Sequence, residues 1–353
     1  MKRVRLNYID VLNCIAIFFV LVLHSAQLAH FGGKDAPNYL LATILQAVCI
    51  PAVFIFFMNS GATLLTYRKR QTTAEFAKRR FLRVGLPFLF WSLAYYFFDA
   101  KFRAFPGPSD HSAGISFAKF IKAFLNNDIN NLFWFFYAII ALYLVTPIFS
   151  ILVDKHKDVL CYVVCIYFFF NDVLSYVSHV TGYQLVTQHI AQPLLTSSWL
   201  GFFLMGYLIR EDYFSKRVQN ILIFLGLLTL SASLADVITD SKYIFLSGYS
   251  SFLYSVALYL IVKRVVAQIN NEKILASFQI FSGASLGIYI LHPLFYAFFD
   301  KIVFKTSVRD WPAYLEVLSS LIHILILPII AYFILTPCVL LIKKLRLGKI
   351  LIP

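Results

Sequence analysis

The stretch IDVLNCIAIFFVLVLHSAQL (residues 9–28) decides the fold, because about 20 mostly apolar residues form a helix long enough to cross a lipid bilayer. Three polar side chains interrupt this stretch, namely Asp10, Asn13 and His24. At about 100° of rotation per helical residue, all three return close to one face. Because a polar stripe inside a membrane faces protein or water rather than lipid, the stretch predicts a helix that lines the interior of a bundle.

The composition of the whole chain predicts an integral membrane protein of the all-α class. Of its 353 residues, 60% are hydrophobic and 14% are charged, whereas about a quarter of a soluble domain is charged. The loops are too short to build cores of their own, so we expect residues 1–353 to form a single transmembrane domain. The five cysteines are an odd number, and the sequence predicts neither a disulfide framework nor a metal site.

The formal net charge of +14 does not indicate nucleic-acid binding, because membrane proteins keep Lys and Arg on their cytoplasmic side. With a cytoplasmic N-terminus and ten spans, the cytoplasmic segments contain 22 of the 31 Lys and Arg residues, so we expect both ends inside. The basic start resembles a signal peptide, but the length of the first apolar run favours an uncleaved helix. The predicted spans are residues 9–28, 42–66, 84–98, 132–151, 159–177, 199–209, 221–238, 249–262, 280–299 and 317–342.

The longest predicted outer loop, residues 99–131, contains the amphipathic stretch FAKFIKAFL (residues 117–125). Its apolar positions recur with the helical period, whereas Lys119 and Lys122 lie off the apolar face. This pattern predicts a short helix that lies on the outer membrane surface.

Two intramembrane histidines are candidates for chemistry. His24 lies in the outer third of the first span, roughly 16 Å along the helix from Asn13. Imidazole exchanges protons near neutral pH, so His24 is a candidate proton acceptor, and the alternative is a buried histidine that is hydrogen-bonded to a neighbouring helix. His292, in SLGIYILHPLF, is expected at a similar depth beside a kink at Pro293. For His292 the alternative is again a structural hydrogen bond.

Polar and basic residues around the second and third spans are candidates for ligand binding. Asn59 and Ser60, in FIFFMNSGATLLTYRKR, could hydrogen-bond a ligand, or could simply permit close helix packing. Arg79, Arg80 and Arg83 directly precede the third span. Arginines at this position can bind phosphates, either of a nucleotide-bearing donor or of phospholipid head groups.

Several segments, taken in their order and spacing, carry a resemblance to a known family. They are IDVLN…VLVLH, FFMNSG, FAKRRFLRVGLPFLFW, LFWFFYAIIALYLVTP, GFFLMGYLI and SLGIYILHPLF. Over nearly its whole length the chain resembles the acyltransferase-3 family of integral membrane acyltransferases. The resemblance implies a multi-pass protein of the plasma membrane that transfers an acyl group, usually acetyl. The implied donor is cytosolic acyl-CoA, with no permanently bound cofactor, and the implied acceptor is a hydroxyl of an extracytoplasmic glycan or a lipid-linked sugar.

The resemblance also implies roles for individual residues. His24 matches the essential histidine of the family, and Asn13 occupies the position of the family arginine ten residues before it, so that charge is missing here. The R-x-x-R pair of the family matches Arg80 and Arg83. The expected mechanism has His24 as general base and phosphates held by the arginines. The remaining expected roles are a donor path lined by Ser60, Asn59 and Asn13, and supporting positions at Asp10, His292 and Tyr289, the last two as oxyanion donors.

Two other functions are compatible with the same sequence features. Ten spans with intramembrane polar residues also fit a transporter, flippase or export component for a lipid-linked sugar or polysaccharide. Transporters often contain internal repeats, and this sequence has none, which favours the enzyme. A third function is acyl transfer to a small molecule on the cytoplasmic side.

Overall fold

The computed structural model of the chain describes residues 5–27, 34–102, 114–183, 185, 199–239, 251–305 and 317–352. All regular secondary structure in these ranges is helical, which confirms the predicted all-α class. Lys2, Arg3 and Leu28, which contributed to the predicted topology and first span, lie outside the described residues.

The described helices follow one another along the chain with short turns between them. The α-helices are α1 Asn7–Ser25, α2 Tyr39–Cys49, α3 Ala52–Leu64, α4 Thr73–Arg80, α5 Leu86–Phe102, α6 Phe117–Leu125, α7 Trp134–Phe149, α8 Lys157–Phe168, α9 Leu174–Thr181, α10 Leu200–Arg210, α11 Lys216–Thr239, α12 Ser251–Val266, α13 Glu272–Ser282, α14 Ser285–Phe299, α15 Val317–Leu321, α16 Leu327–Ile342 and α17 Gly348–Leu351. The π-helical turns are Phe81–Gly85, Phe169–Val173, Asp300–Phe304 and Ile322–Ile326, and short 3₁₀ turns lie at Tyr67–Lys69 and Asn131–Phe133.

Eight helical runs in the described part of the chain are long and apolar enough to cross a membrane. They are Asn7–Ser25, Tyr39–Lys69, Thr73–Phe102, Asn131–Phe149, Lys157–Thr181, Lys216–Thr239, Ser285–Phe304 and Val317–Ile342. Each overlaps one predicted span. The other two predicted spans, 199–209 and 249–262, overlap the shorter helices α10 and α12, so the count of ten and the cytoplasmic placement of both ends stay predictions.

Helix α1 is the central helix of the bundle. It packs against α2, α3, α12, α13, α14 and α16. Within its most apolar stretch 67% of the residues are buried, compared with 11% for the peripheral run Lys216–Thr239. The polar stripe predicted on α1 therefore faces other helices, which places Asn13 and His24 inside the protein.

Close packing of α3 against α10 forms a second part of the core. A Cβ atom added to Gly61 would overlap the carbonyl oxygen of Phe203, and one added to Gly206 would overlap the carbonyl of Met58. Only glycine permits two backbones to approach this closely. These contacts hold Asn59 and Ser60, which lie one turn from the crossing, in a fixed position.

The short amphipathic helix predicted at residues 117–125 is confirmed with the same bounds, as α6. The Ser116 hydroxyl caps its start by accepting a hydrogen bond of 3.2 Å from the backbone N–H of Lys119. Phe120 and Ala123 are buried on its inner side. Its placement on the outer membrane surface stays a prediction.

Candidate functional site

A cavity of about 920 Å³ opens between α1, α3, α7, α10, α13 and α14. Along α1 its lining ends at Asn13, and along α14 it ends at Tyr289. His24 lies three helical turns beyond Asn13 and is not part of the lining. The cavity therefore follows the first half of the polar stripe on α1 and stops short of the histidine.

Positive charge predominates in the lining of the cavity. Four cationic side chains line it together with two carboxylates, and they are Arg5, Lys69, Arg70, Arg210, Asp10 and Glu211. All four cations come from the end of the cavity at which α1 begins, in the connection after α3 and at the end of α10. A site of this charge attracts anionic groups such as phosphates.

Three of these four cations are engaged by neighbouring groups. Arg5 forms a two-point ion pair with Asp10, with N–O distances of 2.8 and 2.9 Å, and this hydrogen bonding raises the pKa of the guanidinium. Arg210 donates to the Ala62 carbonyl at 2.7 Å, and Lys69 pairs with Asp154 at 2.6 Å. Arg70 is exposed and has no ion-pair partner among the residues that the structure describes, so it is the cation most available to a ligand.

An amide and hydroxyl network forms the wall of the cavity. The Asn13 side chain donates to Ser282 Oγ at 3.1 Å and accepts from Asn59 Nδ2 at 2.9 Å. The Ser285 hydroxyl donates to the Asn13 backbone carbonyl at 3.4 Å. Asn59 is 5% exposed, and its Oδ1 has no hydrogen-bond partner among the described residues. A buried acceptor in a cavity wall is a point at which a ligand N–H or O–H can bind.

The arginines that precede the third span do not line the cavity. Arg80 lies over the rings of Phe76 and Tyr143, with 5.8 Å from its guanidinium carbon to each centroid. Because Tyr143 lines the cavity, Arg80 is separated from it by one ring. Arg79 and Arg83 are exposed and lie outside the lining. The basic rim of the cavity is therefore formed mainly by cations that the sequence did not single out.

Beyond the end of the cavity, His24 and His292 stack against each other. Their ring centroids lie 5.1 Å apart and their planes are tilted by 23°. His292 is fully buried, and its centroid lies 5.8 Å from that of Tyr289, which lines the cavity. The order from the cavity to the half-buried His24 is thus Tyr289, His292, His24. The two histidines that the sequence placed at similar depth are brought together.

The two imidazoles have different hydrogen-bond partners. His292 Nδ1 lies 2.7 Å from the Tyr289 carbonyl and 3.3 Å from the Ile288 carbonyl, whereas its Nε2 has no partner among the described residues. His24 Nδ1 lies 3.2 Å from the side-chain nitrogen of Gln27. The Tyr289 hydroxyl donates to the Leu132 carbonyl.

A buried ion pair next to the histidines was missed in the sequence. His323 Nε2 lies 3.1 Å from Asp300 Oδ1, and its Nδ1 lies 2.9 Å from the carbonyl oxygen of Ser25, the last residue of α1. The Tyr296 ring contacts both His292 and His323. His323 falls inside the predicted span 317–342, so the rule that intramembrane polar residues are functional suspects could have identified it.

Comparison with known proteins agrees with the sequence. A family model described as an acyltransferase domain matches residues 6–342, which is nearly the whole chain. No curated protein and no solved structure matches the chain. The resemblance to the acyltransferase-3 family is confirmed by this match. A match of this extent, on a chain whose helices are apolar enough to cross a membrane, shows that the protein belongs to this family of acyltransferases.

Proposed function

We propose that this acyltransferase moves an acyl group, most simply acetyl, from cytosolic acyl-CoA to a hydroxyl of a cell-surface glycan or its lipid-linked precursor. In this proposal the protein works in the plasma membrane. The observation that carries the proposal is the arrangement of one cavity, which has a basic rim at one end and stops one helical turn short of the His24–His292 pair at the other.

The basic rim supports a donor that carries phosphates. The nucleotide end of acyl-CoA bears several phosphate charges, and Arg5, Lys69 and Arg70 offer cationic donors to them. The family arginine is absent at Asn13, but Arg5 brings a guanidinium to the same cavity from the start of α1. We propose that rim cations replace the charge that Asn13 does not supply.

The amide wall supports binding of the pantetheine arm of the same donor. This arm is long and narrow and contains two secondary amides, which need hydrogen-bond partners once they leave water. Asn59 Oδ1 is a buried acceptor without a partner among the described residues, and Ser60 also lines the cavity. An arm bound along this wall would point its thioester toward Tyr289 and the histidine pair.

The histidine pair supports proton transfer at the far end. Attack of a hydroxyl on a thioester needs a base that accepts the hydroxyl proton, and general-base help of this kind is typically worth about 10²–10⁴-fold in rate. An imidazole is suited to this role near neutral pH. We propose that the acceptor hydroxyl reaches the pair from the side of the membrane opposite to the basic rim.

The test is the chemical content of surface glycans in cells that lack the gene and are complemented with variants. We expect wild-type protein to restore ester-linked acetyl groups and His24→Ala to fail. His179→Ala, at an exposed position on α9, is the matched control and should restore them. Full ester content with His24→Ala would refute the assignment of the site. Unchanged ester content together with altered polymer export would refute the enzyme and favour the export function.

A further inference from the structure

The hydrogen bonds of His292 fix the position of its ring proton. Both groups near Nδ1 are backbone carbonyls, of Tyr289 and Ile288, and a carbonyl oxygen can only accept. Nδ1 must therefore carry the proton, and in a neutral ring Nε2 bears a lone pair. This lone pair is fully buried and has no partner in the described part of the chain. Buried polar atoms are rarely left in this state without a functional reason.

The hydrogen bond of His24 fixes the opposite arrangement. The Gln27 side-chain nitrogen lies 3.2 Å from Nδ1, and an amide nitrogen can only donate. His24 Nδ1 therefore accepts, and the proton of the neutral ring is on Nε2. The two stacked rings thus present one N–H donor, on His24, and one lone pair, on His292.

The remaining candidate for an oxyanion donor near the pair has no free proton. The Tyr289 hydroxyl donates to the Leu132 carbonyl. The N–H group of His292 is likewise occupied by backbone carbonyls. Among the three side chains at the end of the cavity, the His24 Nε2–H is the donor that remains, and the His292 Nε2 is the base that remains.

We propose that His292 is the general base of the acyl transfer and that His24 stabilises the oxyanion. This inference rests on the proposed function and reverses the roles expected from the sequence. The acceptor hydroxyl gives its proton to His292 Nε2 while its oxygen bonds to the thioester carbonyl carbon. The carbonyl oxygen becomes an oxyanion that accepts a hydrogen bond from His24 Nε2–H. The carbon–sulfur bond then breaks, and the CoA thiolate takes the proton from His292 Nε2, which restores both rings.

The contacts of His292 also suit the charge that it would carry. After taking the proton, its ring is cationic, and its Nδ1–H points at the Tyr289 carbonyl only 2.7 Å away. A hydrogen bond from a charged donor is roughly twice as strong as one between neutral groups. The backbone of α14 therefore stabilises the protonated form of the base.

Glutamine substitutions separate the two roles, because a glutamine amide can donate a hydrogen bond but is not a base. The assay uses membrane vesicles from the gene-deleted cell, complemented with each variant and supplied with radiolabelled acetyl-CoA, and counts alkali-labile label in the glycan fraction. We expect His24→Gln to transfer label at least tenfold faster than His24→Ala, because it keeps a donor. We expect His292→Gln and His292→Ala to be equally slow, by roughly 10²–10⁴-fold relative to wild type.

Each outcome has a distinct meaning. Binding of radiolabelled CoA to the purified variants checks that they are folded, because neither histidine lines the cavity. Equal loss in His24→Gln and His24→Ala would overturn the oxyanion role, and this comparison alone decides if the His292 variants do not fold. A folded and active His292→Gln would overturn the base role. If wild-type protein transfers no label, the proposed function itself fails, and this inference fails with it.

Discussion

The side-chain amide of Asn59 donates a hydrogen bond of 2.9 Å to Oδ1 of Asn13, so the position of the family arginine is occupied here by a structural joint between α1 and α3. Asn13 extends this joint to α13 by donating to Ser282 Oγ. An arginine at this position would carry charge into the cavity, whereas the asparagine connects three helices. The cavity wall in this protein is therefore built around neutral amides, and positive charge is confined to the rim.

Asn13→Ala should weaken this joint, because the buried Asn59 amide would lose its acceptor. We expect the free energy of unfolding to fall by about 1–3 kcal/mol, the usual cost of a buried unpaired polar group. Thermal unfolding of the detergent-solubilised protein measures it. Ser277→Ala, at an exposed position on α13, is the control and should unfold like wild type. Equal stability of Asn13→Ala and wild type would contradict the joint.

Arg70→Gln should weaken binding of acetyl-CoA, because this exposed cation on the rim has no ion-pair partner among the described residues. We expect the Kd for acetyl-CoA to rise roughly three- to tenfold, through the loss of one charge-assisted contact to phosphate. The salt dependence of binding should also become weaker. Arg79→Gln is the matched control, since Arg79 is exposed but lies outside the cavity lining. A larger effect of Arg79→Gln would show that phosphates bind on the outer face of α4.

Gln27→Glu should slow acyl transfer although it adds a potential hydrogen-bond acceptor near His24. A carboxylate accepts from the ring, so it would move the His24 proton from Nε2 to Nδ1 and remove the oxyanion donor. We expect a loss of roughly tenfold or more in kcat, within the range seen when an oxyanion donor is removed. Gln27→Leu leaves the ring free to choose its tautomer and should lose less. A Gln27→Glu variant faster than wild type would instead support His24 as the base.

Gly61→Ala should prevent correct packing of α3 against α10, because the new methyl group would overlap the Phe203 carbonyl. Backbone atoms cannot move aside as a flexible side chain can, so we expect severe loss of folded protein in membranes. The amount of monodisperse protein after detergent extraction measures it. Gly283→Ala is the control, because its Cβ would meet its nearest neighbour at 3.2 Å. Normal yields of Gly61→Ala would show that the two helices can separate.

Asp300→Leu should destabilise the end of α1 near His24, because it leaves the buried His323 Nε2 without its partner at 3.1 Å. Asp300→Asn keeps a side chain that can donate to this nitrogen and should retain most activity. We expect unfolding at lower temperature for Asp300→Leu, with a cost of about 1–3 kcal/mol for the unpaired nitrogen. Thermal unfolding and the vesicle assay measure the two consequences. Equal behaviour of the two variants would show that the pair has no positioning role.

Local sequence patterns were sufficient to predict the helical elements. The lengths of the apolar runs predicted membrane-crossing helices, and the amphipathic period at residues 117–125 predicted α6 with the bounds that the structure has. The histidines on different spans were expected at one depth, and they stack. These features depend on residue spacing within a single helix, which the sequence contains directly.

The distribution of the arginines could not be predicted, because it depends on how the helices cross and on a break in helical period. A regular period of 3.6 residues would place Phe76, Arg80 and Arg83 on one face. The π-helical turn Phe81–Gly85 interrupts this period, so Arg80 stays with Phe76 and Arg83 is turned outward. Arg5 contributes to the cavity for a similar reason, since its two-point pairing with Asp10 folds it back over the start of α1.

The place where the cavity stops has a consequence for the cell as a whole. In the described part of the chain the cavity lining ends at Tyr289, and the fully buried His292 separates it from His24. A cell that stores energy as an ion gradient loses that energy through any continuous water-filled path across its membrane. The stacked imidazoles close this path without a moving gate. Surface decoration would then proceed in a membrane that stays electrically tight, with only the acyl group passing from one side to the other.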